Sequence, residues 1–334
     1  KLMNYAAFNT IFHASFGYSA KLDDDLGVKL RQSIDDTFRN FSAAMIWNSL
    51  TFLRIFGQYF YPQKAYDIRK IRCELTRECV NKRINEYDLD NNKPVSFIDH
   101  MLIAQKKGLL TRNQMEADIG TLFAAGTDTT GSTLECIIVY ASKYTDIQDL
   151  VRNELVQIFG KNGEFSTKKV KDLPIFRAFI KEIQRIVNVA QSGLQHRANR
   201  DIYITDDDTG KTYYIKKGTT VNYNIDNIHY NINKSENWKD ASNDKIILSN
   251  WIDGDYINDY NKCKYIANKS EFTFGYGPRN CVGLTLAMKE LYIIIGNLLL
   301  NYKFSLKDPN TQIKGTSRGV ARISPSIGVV ITKL

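Results

Sequence analysis

The chain has 334 residues, of which 43% are hydrophobic, and its formal net charge at pH 7 is +9. This length and apolar content suffice to bury a large core, and no linker, repeat or low-complexity segment divides the chain. A basic surface is compatible with nucleic-acid binding, but no basic motif interleaved with aromatic residues supports that function. We therefore predict a single domain over residues 1–334 that does not bind nucleic acid.

Cysteine usage and hydropathy limit the compartment in which the protein can work. The five cysteines form neither a Cys-x-x-Cys pair nor a zinc-ligand spacing, which favours a reducing, intracellular compartment. The most apolar run, residues 291–300, is too short to cross a bilayer and contains Gly296 and Asn297. We therefore expect this chain to contain no membrane anchor and no signal peptide.

The periodic segment at residues 113–144 predicts one long helix, which Thr111 can cap. Its centre, residues 124–131, is Ala-Ala-Gly-Thr-Asp-Thr-Thr-Gly, and such residues lower helix stability. Thr129 can hydrogen-bond a carbonyl oxygen one turn earlier and bend the helix, so a locally opened helix would make room for a small ligand and a water. The alternative is a close glycine contact between two packed helices.

A further helix is predicted to begin after Pro174, and it contains Glu182 and Arg185. These two residues are three positions apart, so they share one face of the helix and can pair. Most such pairs lie at the surface and contribute little stability. From the residues alone, this pair is therefore an unremarkable feature.

Residues 201–224 change to a period of two, in which apolar and polar side chains alternate, and this predicts a small hairpin sheet. The turn would be formed by residues 206–210, Asp-Asp-Asp-Thr-Gly. Residues 321–331 predict a further strand, turn and strand. Together with the long helices, these patterns predict a fold that is mainly α with a small β portion.

The most informative segment is residues 272–283, Phe-Thr-Phe-Gly-Tyr-Gly-Pro-Arg-Asn-Cys-Val-Gly. Gly275 and Gly277 permit tight turns and a close approach of the backbone to a flat cofactor. A strong helix-forming sequence follows Cys281, so its sulfur would lie at a helix N-terminus, where the dipole stabilises a thiolate. This setting is typical of an axial thiolate ligand to haem iron.

Two neighbouring side chains fit the same interpretation. Phe274 can shield the thiolate from water, and the planar guanidinium of Arg279 suits a haem propionate. One alternative is a structural cysteine, since a single cysteine is usually a small buried apolar residue. Another is a nucleotide-binding loop, but Asn280 replaces its third glycine and Pro278 removes a phosphate-binding N–H. The haem interpretation accounts for more of the segment.

The pattern of this segment resembles the haem-binding loop of the cytochrome P450 family, Phe-Gly-x-Gly-x-Arg-x-Cys-x-Gly. Cys281 would then be the axial ligand of the iron, and the other matching residues would help to bind the cofactor. The matching residues are Phe274, Gly275, Gly277, Arg279, Cys281 and Gly283.

Residues 125–130 are similar to the family's oxygen-activation motif, Ala/Gly-Gly-x-Asp/Glu-Thr-Thr/Ser. The resemblance implies that Thr129 hydrogen-bonds dioxygen and that Asp128 relays protons to it as a general acid. By the same resemblance, Ala125 and Gly126 would lie against the haem face and leave a gap for substrate.

Other parts of the chain match the family less completely. Glu182 and Arg185 match its Glu-x-x-Arg motif, a structural element behind the haem loop, and His196 falls at the offset of a propionate-binding residue. Family members normally complete the Glu-x-x-Arg network with a later arginine. Asn250 stands at that place here, which predicts a weaker network.

The resemblance covers nearly all of this sequence but not the family's N-terminal part, which includes the usual membrane anchor. We therefore expect a cytochrome P450-like domain whose N-terminal part is missing. The turn formed by Ser324, Pro325 and Ser326 matches one that enters the substrate pocket, so these residues are candidates for substrate contact.

The net charge of +9 also bears on the source of electrons. A basic face can dock an acidic redox protein and raise the rate of encounter. The cluster predicted to form such a face consists of Lys168, Lys169, Lys171, Lys181 and Arg185.

As a whole, the resemblance implies a haem-thiolate monooxygenase that contains haem b, consumes O2 and inserts one oxygen atom into an apolar organic molecule. Electrons would come from NADPH through a reductase, or from a ferredoxin-type partner. The full-length protein is expected on the cytosolic face of the endoplasmic reticulum membrane. Two alternatives stay open: a degenerate or non-enzymatic haem protein, and a haem-thiolate isomerase or dehydratase.

Overall fold

The structure is a computed structural model, and most of the residues that it describes are helical, as the sequence predicts. It describes residues 2–20, 25–49, 63–88, 92–191, 193–230, 245–257, 262–267, 271–313, 315–317, 321–323 and 327–334. The described helices are α1 (Leu2–Phe16), α2 (Asp25–Ser49), α3 (Gln63–Glu86), α4 (Phe97–Lys106), α5 (Arg112–Lys143), α6 (Thr145–Phe159), α7 (Pro174–Ile186), α8 (Ile225–Tyr230) and α9 (Leu284–Asn301).

The described strands are short and form two-stranded antiparallel sheets. They are β1 (His196–Arg197), β2 (Ile202–Thr205), β3 (Thr212–Ile215), β4 (Thr220–Val221), β5 (Ile252–Asp253), β6 (Lys264–Tyr265), β7 (Tyr302–Leu306), β8 (Gly315–Ser317), β9 (Ala321–Ile323) and β10 (Val329–Lys333). The chain forms two compact units, a first of residues 1–170 and 285–334 and a second of residues 171–284. The single domain over residues 1–334 stays a prediction.

The core of the first unit centres on aromatic side chains of α1 and α5. Phe8, Phe12 and Phe16 recur every four residues, so they share one face of α1 and are buried. The centres of their rings lie 6.0, 5.7 and 5.4 Å, respectively, from the centre of the Phe123 ring on α5. This cluster fixes α1 against the helix that carries the predicted oxygen-activation motif.

Helix α5 has the start that the sequence predicts. The Thr111 hydroxyl accepts the backbone N–H of Gln114, and the Gln114 side chain accepts the backbone N–H of Thr111 in return. This capping box satisfies donors that the first turn of a helix leaves unpaired. The helix then continues without interruption through residues 124–131, so the predicted local opening is not observed.

Two glycines at the centre of α5 lie against α1. A Cβ atom on Gly131 would lie 2.9 Å from the Cα of Asn4, and one on Gly126 would lie 3.1 Å from side-chain atoms of Ile11. Both glycines therefore allow α1 to approach the backbone of α5 closely. The alternative of a glycine contact between packed helices is correct for these two positions.

In the second unit, α7 begins with Pro174 at its first turn, as the sequence predicts. Strands β2 and β3 form the predicted hairpin, with Ile202 opposite Ile215 and Thr205 opposite Thr212. Residues 220–221 were expected to extend this region, but β4 instead pairs with β1.

Strands near the C-terminus occur where the sequence predicts them. β9 pairs with β8, and β10 pairs with β7 over the register from Val329–Leu306 to Lys333–Tyr302. The candidate substrate contacts at the intervening turn, Ser324, Pro325 and Ser326, lie outside the described residues.

Within the part of the chain that the structure describes, one helix has the length and composition of a membrane span. This helix is α9, whose 18 residues are long enough and apolar enough to pass that test by length and composition alone. The expectation that the chain has no such helix was based on the apolar run 291–300, whereas α9 extends from Leu284 to Asn301. Its apolar residues Leu291, Ile295 and Leu299 are buried in the first unit, which is also the pattern of a core helix.

Candidate haem site

The loop that leads to Cys281 is held in shape by its own backbone. The Gly275 N–H donates to the Phe272 carbonyl at 2.8 Å, and the Cys281 N–H donates to the Phe274 carbonyl at 2.8 Å. Gly275 and Gly277 have φ angles of 76° and 73°, which only glycine adopts readily. The predicted need for two glycines is therefore conformational, since a Cβ on Gly277 would meet no atom within 4 Å.

The surroundings of the cysteine fit a flat apolar group that carries carboxylates. Cys281 is exposed, Val282 beside it is 97% exposed and Tyr276 is 75% exposed, so apolar surface is left uncovered. Arg279 is also exposed, and no carboxylate among the described residues forms an ion pair with it. These features suit a haem with the sulfur on its iron and a propionate on the guanidinium.

Behind this loop, Glu182 and Arg185 of α7 form a fully buried ion pair. Arg185 Nε donates to Glu182 Oε2 at 2.9 Å, and Arg185 Nη2 donates to Glu182 Oε1 at 2.8 Å. Both side chains are 0% exposed. The pair is thus a structural element of the second unit rather than a surface contact.

The missing third arginine is replaced by neutral donors. Trp251 Nε1 donates to Glu182 Oε2 at 2.8 Å, the Ile247 N–H donates to Oε1 at 3.1 Å, and Asn250 Nδ2 lies 3.4 Å from both oxygens. The carboxylate therefore has donors on every side although Asn250 carries no charge. The buried charges of Glu182 and Arg185 balance each other without a second cation.

Sequence reasoning missed His229, which lies on the short helix α8. Its side chain is 0% exposed, and its Nε2 accepts the Phe272 N–H at 3.1 Å. Its carbonyl oxygen accepts Arg185 Nη1 at 3.1 Å. Burial lowers the pKa of His229 to about 4, so the ring is neutral at pH 7. No periodic or motif signal in the sequence marks this residue.

Lys181 provides a second link from α7 to the start of the loop. Its ammonium lies 3.1 Å from a carboxylate oxygen of Glu271 and 5.4 Å from the centre of the Phe274 ring. Arg185 is fully buried and Lys181 is only 13% exposed. These two residues therefore do not belong to the predicted basic face, whereas Lys168, Lys169 and Lys171 are exposed.

His196, the candidate propionate ligand, is half-buried in β1. It pairs with Val221 of β4, and its ring packs edge-on against Tyr223 with the ring centres 5.1 Å apart. Its described contacts are thus with β4 and the following residues. A role in binding a propionate stays a prediction.

The predicted oxygen-activation residues lie on α5 in the first unit. Ala125 is exposed and Thr129 is half-buried, so this face of the helix is open, whereas Asp128 is only 1% exposed. The Thr129 hydroxyl donates to the Ala125 carbonyl at 2.7 Å, which is the bond predicted from the sequence. Gly126 lies against Ile11, so its described neighbour is helix α1.

Glu290 of α9 predicts an unusual dependence of stability on pH. Burial raises the pKa of this carboxyl to about 8, opposed by a hydrogen bond with Thr10. The folded chain retains a proton that the unfolded chain releases above about pH 4.5, so stability is lost as pH rises towards 8. At pH 7 we expect Glu290→Gln to be more stable than the parent by about 3 kcal/mol, measured by denaturant unfolding.

The gain from Glu290→Gln should shrink towards pH 5, because this pH approaches the unfolded pKa of 4.5, below which the parent carboxyl is protonated in both states. Glu86→Gln, at an exposed glutamate that ends α3, is the control and should change stability by less than about 0.5 kcal/mol. A gain that is equal at pH 5 and pH 7 would show that Glu290 is ionised in the folded chain.

Comparison with known proteins agrees with the geometry of the loop. A family model described as Cytochrome P450 matches residues 1–330. The probable cytochrome P450 508C1 of Dictyostelium discoideum is 27% identical over 319 residues, which are 91% of this chain and 59% of that protein. The cytochrome P450 2C4 of Oryctolagus cuniculus is 25% identical over 331 residues, which are 95% of this chain and 62% of that protein.

The chain thus spans about three fifths of the length of these curated relatives. The matched residues include the exposed Cys281 with its glycine-bounded loop and the buried Glu182–Arg185 pair behind it. Because the family model matches nearly the whole chain and both motifs adopt the arrangement described above, the chain belongs to the cytochrome P450 family.

Proposed function

We propose that the chain is the haem-binding part of a haem-thiolate monooxygenase that inserts one atom of O2 into an apolar organic substrate. The observation that carries this proposal is the exposed Cys281, held by its backbone N–H in a loop with uncovered apolar side chains. Haem b, when bound, supplies the iron that activates O2. The protein supplies the sulfur ligand, the proton donors and the walls of the site.

The residues of the second unit would hold the cofactor. Cys281 Sγ is the proposed ligand of the haem iron, and it lies three residues before the start of α9. Arg279 and His196 are the proposed propionate ligands. Phe274, Gly275 and Gly283 shape the backbone around the sulfur, and a Cβ on Gly283 would lie 3.7 Å from Cys281 Sγ.

Asp128 and Thr129 of α5 are the proposed proton donors. The single hydroxyl proton of Thr129 is donated to the Ala125 carbonyl, so its oxygen is placed to accept a hydrogen bond. To donate to dioxygen, the hydroxyl must first rotate away from Ala125. The buried Asp128 carboxyl is the proposed source of further protons.

Electrons would reach the site from a reductase that oxidises NADPH, or from a ferredoxin-type protein. The exposed side chains of Lys168, Lys169 and Lys171 are the remaining candidates for a basic docking face for an acidic donor. For the full-length protein we propose a location on the cytosolic face of the endoplasmic reticulum membrane.

The decisive test is the absorption spectrum of the purified, reduced chain with and without carbon monoxide. A long-wavelength Soret band, typical of thiolate-bound iron, is the expected result. A shorter-wavelength band would show haem without the thiolate and would favour the degenerate haem protein. If titration with haem produces no absorbance of bound haem at all, the proposal fails for this chain.

Thr129→Ala should uncouple electron use from product formation, because it removes the hydroxyl that we propose to donate to dioxygen. We expect product yield per electron to fall by about 100-fold or more while electron consumption continues, because a positioned proton donor contributes about 10²–10⁴-fold. The measurement is product formed per NADPH consumed with an added reductase. Thr121→Ala is the control, since Thr121 makes the same kind of bond to the Ala117 carbonyl and lies exposed on α5, about two turns before Thr129.

A further inference from the structure

His229 touches both the buried ion pair and the start of the cysteine loop. Its carbonyl oxygen accepts Arg185 Nη1 at 3.1 Å, and its Nε2 accepts the Phe272 N–H at 3.1 Å. Glu182 holds the other edge of the same guanidinium through two hydrogen bonds. One residue therefore connects the rigid α7 pair to the backbone at which the loop begins.

The connection continues along the loop to the proposed iron ligand. The Phe272 carbonyl accepts the Gly275 N–H at 2.8 Å, and the Phe274 carbonyl accepts the Cys281 N–H at 2.8 Å. A shift of Phe272 would therefore displace the bonded turn that places Cys281. These two backbone hydrogen bonds link Phe272 to Cys281, so we expect a displacement of Phe272 to be transmitted to the cysteine.

The imidazole of His229 can accept the Phe272 N–H only when it is neutral. A protonated ring has N–H donors at both nitrogens, so Nε2 could no longer accept the Phe272 N–H. Burial disfavours protonation of the ring, and so do the positive charges of Arg185 and Lys181, whereas the charge of Glu271 and a hydrogen bond with the backbone of Arg185 favour it. Burial is the largest of these effects, and the pKa of His229 is about 4.

We propose that His229 is a positioning residue for Cys281, which sets the start of the haem loop through the acceptor Nε2. It touches neither the sulfur nor the proposed cofactor and acts through Phe272. This proposal rests on the proposed function, because the position of Cys281 is important only if its sulfur binds the haem iron. The hydrogen-bonded connection itself can be tested without haem.

The first test is hydrogen–deuterium exchange of the haem-free chain. His229→Leu removes the acceptor, and we expect the Phe272, Gly275 and Cys281 amides to exchange about tenfold faster, the effect of one lost buried hydrogen bond. His229→Gln offers an amide oxygen as the acceptor and should keep exchange within about threefold of the parent. Amides of α5 in the first unit are the internal reference for general loosening.

Equal exchange of residues 272–281 in the parent and both variants would overturn the proposal. So would an increase of the same size in α5, because His229 would then contribute only general stability. If His229→Leu fails to fold, exchange is compared between the parent and His229→Gln from pH 7 to pH 4.5. Protection of the Phe272 amide should then fall in the parent alone, and parallel behaviour of the two proteins would overturn the proposal.

The second test uses the haem-loaded chain. In the reduced carbon monoxide complex, His229→Leu should lower the fraction of the long-wavelength, thiolate-type Soret band, and His229→Gln should restore it. An unchanged fraction in His229→Leu would contradict the positioning role. If the parent itself lacks this band, the proposed function fails, while the exchange experiment still decides whether His229 holds the loop.

Discussion

Arg185→Leu is expected to lower the free energy of unfolding by about 3–5 kcal/mol, the cost of leaving a buried charge without its partner. Glu182 is 0% exposed, so its carboxylate cannot turn to water when the guanidinium is removed. The remaining donors from Asn250, Trp251 and Ile247 are neutral and do not replace the lost charge. A loss of this size is a large part of the total stability of a typical domain.

Chemical denaturation followed by circular dichroism measures the change caused by Arg185→Leu. The matched control is Lys303→Leu, which breaks the Lys303–Asp149 pair at 2.7 Å, whose side chains are 41% and 48% exposed. An exposed pair of this kind contributes at most about 1 kcal/mol. If both substitutions cost the same, the burial of the Glu182–Arg185 pair has no energetic consequence and the neutral donors suffice.

Cys281→Ser should abolish the long-wavelength Soret band of the reduced carbon monoxide complex. A serine hydroxyl is not ionised at neutral pH, so it cannot replace the electron-rich thiolate on iron. We expect product formation to fall by more than about 100-fold, the upper end of what changing a partner of a metal ligand causes. Activity assays with an added reductase and the spectrum measure the two effects.

The fold should survive Cys281→Ser, because the cysteine side chain is exposed and its backbone N–H makes the bond to Phe274. Cys73→Ser is the control, since Cys73 is also exposed but lies on α3, and both readouts should stay at the parent level. A thiolate-type band that persists in Cys281→Ser would show that another cysteine binds the iron.

Local features of the molecule were predictable because they depend on residues close together in sequence. The positive φ angles at Gly275 and Gly277, the capping of α5 by Thr111 and the bond from Thr129 to Ala125 each involve neighbours within a few positions. Helical spacing likewise brought Glu182 and Arg185 onto one face of α7. Backbone sterics and helix geometry act at this range, so the sequence alone contains the information.

The sequence by itself thus determined the mainly α fold class, the Cys281 loop and the pair on α7. Only the tertiary structure decided that the pair is fully buried, that Trp251 and Asn250 complete it, and that His229 joins it to the loop. These partners lie 43 to 69 residues apart, and no periodicity links them. Their selection follows from burial, because each polar group removed from water must find a partner wherever the fold brings one.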